Sequence, residues 1–393
     1  MLNILILAGV VATATVLMWP RLANAPLWRA TITPLASIIG SGFLVLGPIL
    51  DVSFGYVAPL VMLGLCVIAY LFGWTIRFNI KHIDSNQPRS RLSERLEHLS
   101  SLVLAFAYII SVAYYLNLFG AFGVSLTAFG DSYHARLVTT AVFVLILSVG
   151  WLRGFSALER LEQISVGLKL AIIVGLLVGL SVHLGHVLRD GPLFAPPPKL
   201  TGWAAIMVAA GLLVTVQGFE TTRYLGATYD ATTRIRSMRI AQWISTAIYL
   251  LYIGLLTFSF DSSVMTLKET AIIDLMVIVA PILPLLLVAA ALSAQFSAAV
   301  ADTTGSGGLI DEITGGRIKP RSAYAVIVGL GLMLTWSANI FEIISYASRA
   351  FAAYYTLQAA IAALSARDTF RTTAFGVIAA AGLFAALFGV PVE

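Results

Sequence analysis

Two long apolar segments of the chain are interrupted near their middles by glycine, at Gly40-Ser41-Gly42 and at Gly218. In a lipid bilayer an unpaired peptide group costs several kcal/mol, so a non-helical backbone persists there only where it lines a cavity or is buried in protein. A helix that stops and restarts also presents amide donors and carbonyl acceptors. The two interruptions therefore predict a binding site for a small polar molecule inside the membrane.

The two interruptions favour opposite charges. The amides of Ser41, Gly42 and Phe43 begin a new half-helix, whose positive dipole end suits a carboxylate. The carbonyls of residues 216–218 end a half-helix and can accept hydrogen bonds from an ammonium group. Together they fit the backbone of an amino acid. The alternative is that the Gly-Ser-Gly stretch only permits close helix packing, as small residues often do in membranes.

Three ionisable groups inside apolar segments, Glu220, Lys169 and Arg349, are further candidates. Glu220 could carry a proton or pair with a substrate cation, or it could make a static ion pair or hydrogen bond, with Arg223 at i+3 as a partner. Arg349 is a candidate outer gate or substrate-anion contact, and the alternative for it is a structural pair with Glu342. Ser37 and Tyr114 are added to the predicted substrate site, although Tyr114 and its neighbour Tyr115 could equally pack in the core.

The elements that position these groups are predicted to be membrane-spanning helices. Hydrophobic residues make up 59% and charged residues 11% of the chain, whereas soluble domains carry about 25% charged residues. The single cysteine, Cys66, excludes an intrachain disulfide. Apolar runs long enough to cross a core of about 30 Å occur twelve times, near 2–19, 31–50, 55–76, 100–127, 137–152, 163–188, 202–226, 240–260, 274–300, 322–338, 342–365 and 372–391.

The loops between these runs differ in charge. Of the 24 Lys and Arg residues, 18 fall in alternate loops that we take as cytoplasmic, and four fall in the opposite loops. This asymmetry predicts the orientation and places both termini outside. The first run is expected to be a retained helix rather than a signal peptide, because its basic residues follow it. Residues 91–99 are predicted to form a short amphipathic helix on the inner membrane surface.

The spans can be grouped into repeats. Residues 1–30 form an extra N-terminal helix and linker, 31–188 a first five-helix repeat, 189–365 a second, and 366–393 a C-terminal helix. Because five is odd, the second repeat must run opposite to the first, as an inverted-topology repeat requires. Each repeat begins with an interrupted helix. The fold class is therefore predicted to be an all-α integral membrane protein with a 5+5 inverted repeat.

The motifs at the interruptions resemble a known family. Residues 38–43, Ile-Ile-Gly-Ser-Gly-Phe, followed by Gly47-Pro48, resemble the first core helix of the amino acid, polyamine and organocation (APC) transporter superfamily. The stretch Gly218-Phe219-Glu220 is similar to the motif of its sixth core helix. The resemblance implies the LeuT fold and links Glu220 to gating and proton coupling. The chain departs from the family at 302–308, which lacks the usual arginine and is interpreted as a flexible hinge or loop, and in its extra N-terminal span.

The resemblance also suggests a role for Lys169. Several sodium-independent family members have a lysine in the fifth core helix, where the ammonium occupies the position that sodium takes in sodium-coupled relatives. Such an amine could exchange protons during transport, whereas the alternative is that Lys169 extends to the membrane interface. Sodium coupling would need hydroxyls such as those of Ser293 and Ser297, which could equally pack or bond the helix backbone.

We therefore expect a secondary active transporter of a small amino acid or amine, proton-coupled or an exchanger and independent of sodium, in a bacterial-type inner membrane. The alternatives are an ion or metal transporter, a channel, or a sodium-coupled symporter. No enzymatic activity, cofactor, metal site or nucleic-acid partner is expected. The predicted substrate-binding residues are Ser37, Gly40, Ser41, Gly42, Phe43, Tyr114, Gln217, Gly218, Phe219 and Glu220, with Lys169 and Glu220 for coupling and Arg223 and Arg349 for gating.

Overall fold

The computed structural model describes residues 1–40, 42–84, 90–152, 159–264 and 267–392, and of residues 159–164, 227 and 264 only the backbone. The regular structure of these residues is helical throughout. The α-helices are α1 (Leu2–Leu17), α2 (Pro20–Ala23), α3 (Pro26–Ile38), α4 (Gly42–Phe54), α5 (Ala58–Asp84), α6 (Arg91–Val124), α7 (Ser132–Leu152), α8 (Glu159–Asp190), α9 (Gly202–Gly211), α10 (Ala231–Ser259), α11 (Ala271–Val279), α12 (Leu283–Ile313), α13 (Pro320–Ser337), α14 (Ile340–Ser365) and α15 (Thr369–Phe388). Short 3₁₀ segments lie at Gly55–Val57, Leu213–Val216, Phe219–Ala227 and Ser262–Val264.

Local sequence signals start many of these helices. Side-chain oxygens of Ser90, Asp230 and Asp368 accept hydrogen bonds from backbone amides in the first turns of α6, α10 and α15. Helix α14 begins with a capping box between Asn339 and Glu342. Helices α2, α3, α12 and α13 have proline in their first turn, where a missing amide costs no hydrogen bond. Each side-chain cap stabilises its helix by about 1 kcal/mol.

The predicted all-helical architecture is confirmed for the described residues, and seven of its helical stretches are long and apolar enough to span a membrane. They are Gly42–Asp84, Arg91–Val124, Ser132–Leu152, Ser165–Asp190, Ala231–Ser259, Leu283–Ile313 and Thr369–Phe388. The first of these contains both α4 and α5. Several other predicted spans are shorter or interrupted helices, among them α1 and α9, so the total of twelve spans and the inverted repeat stay predictions.

Two of the sequence-based assignments are wrong in detail. The run 274–300 is not one helix, because α11 ends at Val279 and α12 begins at Leu283. Pro281 lies between them and has no amide with which to continue a helix. Residues 91–99 do not form a separate surface helix, because they are the first turns of α6, which continues without a break to Val124.

The predicted hinge at residues 302–308 is also wrong, because α12 runs through it as continuous α-helix. Thr303 and Thr304 donate their hydroxyl hydrogen bonds to backbone carbonyls one turn earlier in the helix. A Cβ added at Gly307 would lie 2.5 Å from the Tyr324 ring, and one at Gly305 would lie 3.3 Å from Tyr108. These two glycines therefore allow neighbouring side chains to approach the helix closely, which is a packing role rather than a hinge.

The helices pack as two groups that are joined by α14. Helix α6 contacts α7, α12 and α13, and α7 and α12 in turn contact α13. The second group consists of α3, α4, α5, α10 and the 3₁₀ segment 219–227, with α14 lying against both α5 and α6. Helix α1 packs on α8, where Ile6 and Val10 contact Gly175 and Ile6 also contacts Gly179. The two interrupted regions therefore lie at the centre of the second group, beside α8 and α12.

Candidate functional site

Both predicted interruptions are present in the backbone. Helix α3 ends at Ile38 and α4 begins at Gly42, with Ile39 in a non-helical conformation (φ −85°, ψ 58°). Helix α9 ends at Gly211 and is followed by 3₁₀ turns, an extended Gln217, and Gly218 at φ 118°. Only glycine adopts that φ without strain. Ser41, part of the predicted anion site, lies outside the described residues.

The two interruptions are in direct contact, and glycine makes this contact possible. A Cβ added at Gly218 would lie 2.5 Å from the Ser37 Oγ atom and 2.6 Å from the Ser37 carbonyl carbon. One added at Gly42 would lie 2.6 Å from the Tyr114 hydroxyl and 3.3 Å from the Thr215 Cα atom. We call this contact, between residues 37–40 and 42 on one side and 215–218 on the other, the break contact. No larger residue fits at Gly42 or Gly218 without a shift of the surrounding structure.

A tyrosine from a neighbouring helix joins the two backbone segments of the break contact. The Tyr249 hydroxyl of α10 lies 3.0 Å from the Ile38 carbonyl oxygen and 2.5 Å from the Thr215 carbonyl oxygen. Both carbonyls end helical segments whose own hydrogen-bond partners are missing. Tyr249 is fully buried and its ring packs against Phe43 at 5.4 Å between centroids. It therefore holds together the two backbone segments that are predicted to bind substrate.

The polar backbone groups at the breaks are only partly free. The Phe43 amide, one of the three predicted anion donors, donates to the Gly40 carbonyl at 3.3 Å. The Gly218 carbonyl, one of the three predicted acceptors, accepts from the amide and hydroxyl of Thr221. In the described part of the chain, no hydrogen bond reaches the carbonyls of Val216 and Gln217. These two carbonyls are the acceptors that remain at the second interruption.

Glu220 is bound to the backbone of its own segment. Its Oε2 atom accepts from the Gly218 amide at 2.9 Å and from the Tyr355 hydroxyl at 2.8 Å. The Oε1 atom has no hydrogen-bond partner among the described residues, and the side chain is fully buried. The neighbouring Phe219 stacks on the Tyr355 ring at 5.2 Å. The hydrogen-bond alternative for Glu220 therefore fits its contacts, but with Gly218 and Tyr355 rather than with Arg223.

Arg223 instead joins three other elements. It forms a salt bridge with Glu97 of α6 and donates to the Gln358 side chain of α14. Arg234 of α10 donates to the Arg223 carbonyl at 3.0 Å and forms a salt bridge with Asp84 of α5 at 2.8 Å. This network connects the 3₁₀ segment 219–227 to four helices. The Arg223–Glu97 ion pair therefore restrains movement of the segment relative to α6.

Lys169 lies at the end of the first half-helix. Its ammonium on α8 donates to the Ala36 carbonyl of α3 at 2.8 Å, and the side chain is 5% exposed. Ala36 is in the last turn of α3, where carbonyls lack helical partners and the helix dipole is negative. A cation is therefore stabilised here. The side chain turns into the protein and does not extend to the membrane interface.

A small and a large cavity meet at Thr221, close to the break contact. The small cavity, about 40 Å³, is lined by Thr33, Ala36, Ser37, Ser165, Val166, Lys169, Thr221, Ala294, Ser297, Ala298, Ala301 and Asp302. The large cavity, about 1,020 Å³, shares Thr33, Ser165, Thr221, Ser297, Ala301 and Asp302 with it. The large cavity also reaches Tyr229 and Glu312, close to loops rich in basic residues. The shared residues form the boundary between the two cavities.

The structure divides the predicted site residues between these regions. Ser37 and Lys169 line the small cavity, whereas Gly40, Gly42, Phe43, Tyr114, Gln217, Gly218, Phe219 and Glu220 line neither cavity. Arg349 is exposed and donates from Nε to the Ala386 carbonyl of α15 at 2.8 Å. Glu342, its suggested partner, caps the start of α14. Arg349 therefore lies apart from both cavities, and a gating role for it stays a prediction.

Asp302 is the acidic residue that the sequence patterns did not single out. It lies on α12, is 6% exposed, lines both cavities and accepts a hydrogen bond from the Ser111 hydroxyl of α6. The signal that could have indicated it is a carboxylate near the end of a long apolar run. Its place in a Gly- and Thr-rich stretch suggested a loop instead. Within the described residues, no group of three or more His, Cys, Asp or Glu could hold a metal ion.

Comparison with known proteins covers nearly the whole chain. A family model described as an APC superfamily transporter matches residues 20–389. The chain is also 42% identical over 384 residues to an uncharacterized protein of Aquifex aeolicus (strain VF5). This alignment covers 95% of the chain and 93% of that protein. The family match includes both interruptions, Lys169 and Asp302.

Proposed function

The chain belongs to this family of APC superfamily transporters, and we propose that it moves a small amino acid or amine across the membrane by alternating access. We further propose that transport is driven by protons or by exchange and does not require sodium. The family membership agrees with the resemblance of the two glycine motifs. The observation that carries the finer proposal is the break contact, in which two interrupted helices meet side by side.

The break contact supports a zwitterionic or amine substrate. The N-terminus of α4 at Gly42 gives one side of the contact positive character, which suits a carboxylate. The unbonded carbonyls of Val216 and Gln217 give the other side acceptors for an ammonium group. Because Gly42 lies against Thr215, both kinds of group are close enough to serve one small molecule. The cavity-lining Ser37, which touches Gly218, connects this contact to the space beside it.

The position of Lys169 supports sodium independence. Its ammonium already donates to the Ala36 carbonyl, which ends a helix and would otherwise be available to a metal cation. Ser297, one of the hydroxyls that sodium coupling would use, lines the same small cavity as Lys169. A fixed positive charge at this position competes with sodium and performs the same electrostatic role. A lysine can also release its proton when it is buried.

The contacts also support alternating access with one side open. The large cavity extends from the small cavity towards residues 229 and 312, which the charge pattern assigns to the cytoplasmic side. On the opposite side the break contact is packed by buried tyrosines, among them Tyr249 and Tyr252. We propose that the salt bridge of Arg223 with Glu97 restrains the 3₁₀ segment 219–227 and that closure of the large cavity moves this segment.

Transport by the purified protein in liposomes tests this proposal. A thermal-shift screen against amino acids and amines first selects a substrate, and its labelled form is then supplied under an inward proton gradient, with either Na⁺ or K⁺. We expect saturable uptake and counterflow that are equal in Na⁺ and K⁺. Uptake that requires Na⁺ would refute sodium independence, and non-saturable flux without counterflow would indicate a channel.

The Lys169→Met variant tests the coupling role with a matched control. Methionine retains an unbranched apolar chain but removes the ammonium, so proton-driven uptake should fall by at least about a hundredfold, the low end of what a positioned proton-transfer group contributes. Lys268→Met is the control, because Lys268 lies half-exposed in a loop, where it pairs with Asp274 of α11. Unchanged proton-driven uptake in Lys169→Met would contradict the coupling role.

A further inference from the structure

Asp302 occupies the boundary between the two cavities. Its carboxylate lines the small cavity together with Lys169, and it lines the large cavity together with Glu312 near the end of α12. The Ser111 hydroxyl donates to its Oδ2 atom, so the carboxylate is held in place from α6. A buried acid at membrane depth is costly unless it takes part in transport or pairs with another group. Its position links the Lys169 ammonium to the space that opens towards one membrane face.

The small cavity, which Lys169 and Asp302 both line, is large enough to hold a water molecule. The volume of the small cavity is about 40 Å³. A water molecule needs roughly 10–15 Å³. The hydroxyls of Ser165, Ser297 and Thr221 line both cavities and are further hydrogen-bond partners along the same path. Proton transfer through one positioned water is an established geometry for acid–base groups. A continuous polar path therefore runs from Lys169 past Asp302 to the large cavity.

Charge favours the transfer of a proton between these two residues. In a site of low dielectric, an ammonium and a carboxylate both carry a large desolvation cost. Moving one proton from the Lys169 nitrogen to an Asp302 oxygen breaks an N–H bond, forms an O–H bond and leaves both groups neutral. The total charge of the site does not change during this step. Glu220 is less suited to it, because its Oε2 atom binds Gly218 and Tyr355 and it lines neither cavity.

We propose that Asp302 accepts the proton that Lys169 releases and passes it to water in the large cavity. The O–H bond on Asp302 then breaks, the carboxylate is restored, and Lys169 takes its next proton from the opposite side. This inference rests on the proton coupling of the proposed function and identifies its exit path. It makes Asp302 a proton-transfer residue that does not contact the transported molecule.

The Asp302→Asn variant in liposomes tests the proposal through two separate readouts. Asparagine keeps a carbonyl oxygen that can accept the Ser111 hydrogen bond, so the fold should be retained, but it cannot take up a proton. We expect substrate-dependent proton flux, measured with an internal pH dye, to fall at least about tenfold. Counterflow at equal pH should stay within about twofold of the wild type, because it needs no net proton release.

Two further variants sharpen the test. Glu312→Gln removes a carboxylate from the wall of the large cavity alone and should leave proton flux unchanged. Asp302→Glu restores a carboxylate one methylene longer and should recover part of the proton flux. If Asp302→Asn loses counterflow as well as proton flux, the inference is overturned, because Asp302 would then serve binding or folding.

The wild-type protein separates failure of this inference from failure of the proposed function. If wild type moves protons with substrate and Asp302→Asn moves as many, the exit path through Asp302 is wrong and proton coupling stands. If wild type transports substrate with no proton flux at all, the proton coupling of the proposed function fails and the exit path fails with it. Proton flux that is lost in Asp302→Asn and kept in Glu312→Gln supports both the exit path through Asp302 and proton coupling.

Discussion

The break contact and the cavity wall beside it are built in opposite ways, although both surround the same half-helix. The break contact is dense, because glycines at 42 and 218 bring backbone against backbone and the Tyr249 hydroxyl lies within hydrogen-bond distance of a carbonyl in each segment. The cavity wall on α8 and α12 is open and polar, with Lys169 on the small cavity and Asp302 in the boundary between the two cavities. Ser37 belongs to both, because it touches Gly218 and lines the small cavity.

The difference separates two tasks that the sequence patterns had placed together. A dense contact can hold groups in fixed positions and can open only as a unit, whereas an open polar wall admits water and small ions. We therefore propose that the break contact recognises the substrate and that the cavity wall transfers the proton. Added volume should then be costly at the break contact and tolerated at the cavity wall, and charge changes should have the reverse effect.

Gly218→Ala is expected to have the largest effect. Alanine at φ 118° is strained by about 1–2 kcal/mol, and its Cβ would lie 2.6 Å from the Ser37 backbone, an overlap that costs about 1–3 kcal/mol more. We expect thermal unfolding in detergent at a clearly lower temperature and uptake reduced by more than tenfold, since about 1.4 kcal/mol corresponds to a factor of ten.

Gly308→Ala is the matched control for this comparison. Gly308 lines the large cavity, and a Cβ added there meets no atom within 4 Å. Its unfolding temperature and uptake should equal or slightly exceed those of the wild type, because alanine favours helix. Equal losses in Gly218→Ala and Gly308→Ala would contradict the distinction between a dense contact and an open wall.

Tyr249→Phe should have a smaller but clear effect. The change removes the hydroxyl that reaches the Ile38 and Thr215 carbonyls and leaves buried acceptors without a donor, which costs about 1–3 kcal/mol. Uptake and the unfolding temperature should both fall. Tyr346→Phe, at an exposed position of α14, provides the control and should behave as wild type. A Tyr249→Phe variant with wild-type stability would show that the two backbone segments of the break contact stay together without the hydroxyl.

The sequence was sufficient for some of these features and insufficient for others, for physical reasons. The interruptions could be predicted, because glycine within an apolar run has a direct backbone consequence, as Gly218 demonstrates. Long-range partners could not, because Arg223 and Glu97 are 126 residues apart and no local pattern relates them. The helical course of 302–308 was missed because its glycines act through contacts with Tyr108 and Tyr324, which only the fold brings near.

Glu220→Gln tests whether the acid of the break contact also carries a proton. Glutamine can still accept from the Gly218 amide and the Tyr355 hydroxyl through its carbonyl oxygen, so stability should change by about 1 kcal/mol or less. Uptake should be reduced only modestly, and its dependence on pH should match that of the wild type. A shifted pH profile would instead assign proton coupling to Glu220. Glu220 would then be a proton-transfer residue, as we propose for Asp302.

Arg349→Gln is expected to have the smallest effect, and it tests where the functional region ends. Arg349 is exposed on α14 and its described hydrogen bond is to the Ala386 carbonyl of α15, on a face that neither cavity reaches. Substitutions at such positions usually change stability by about 0.5 kcal/mol or less, which corresponds to a change of about twofold in an equilibrium. Uptake should stay within that range. A tenfold loss of uptake with unchanged unfolding temperature would restore the predicted outer gate, because it would require Arg349 to leave α15 and reach the break contact during the transport cycle.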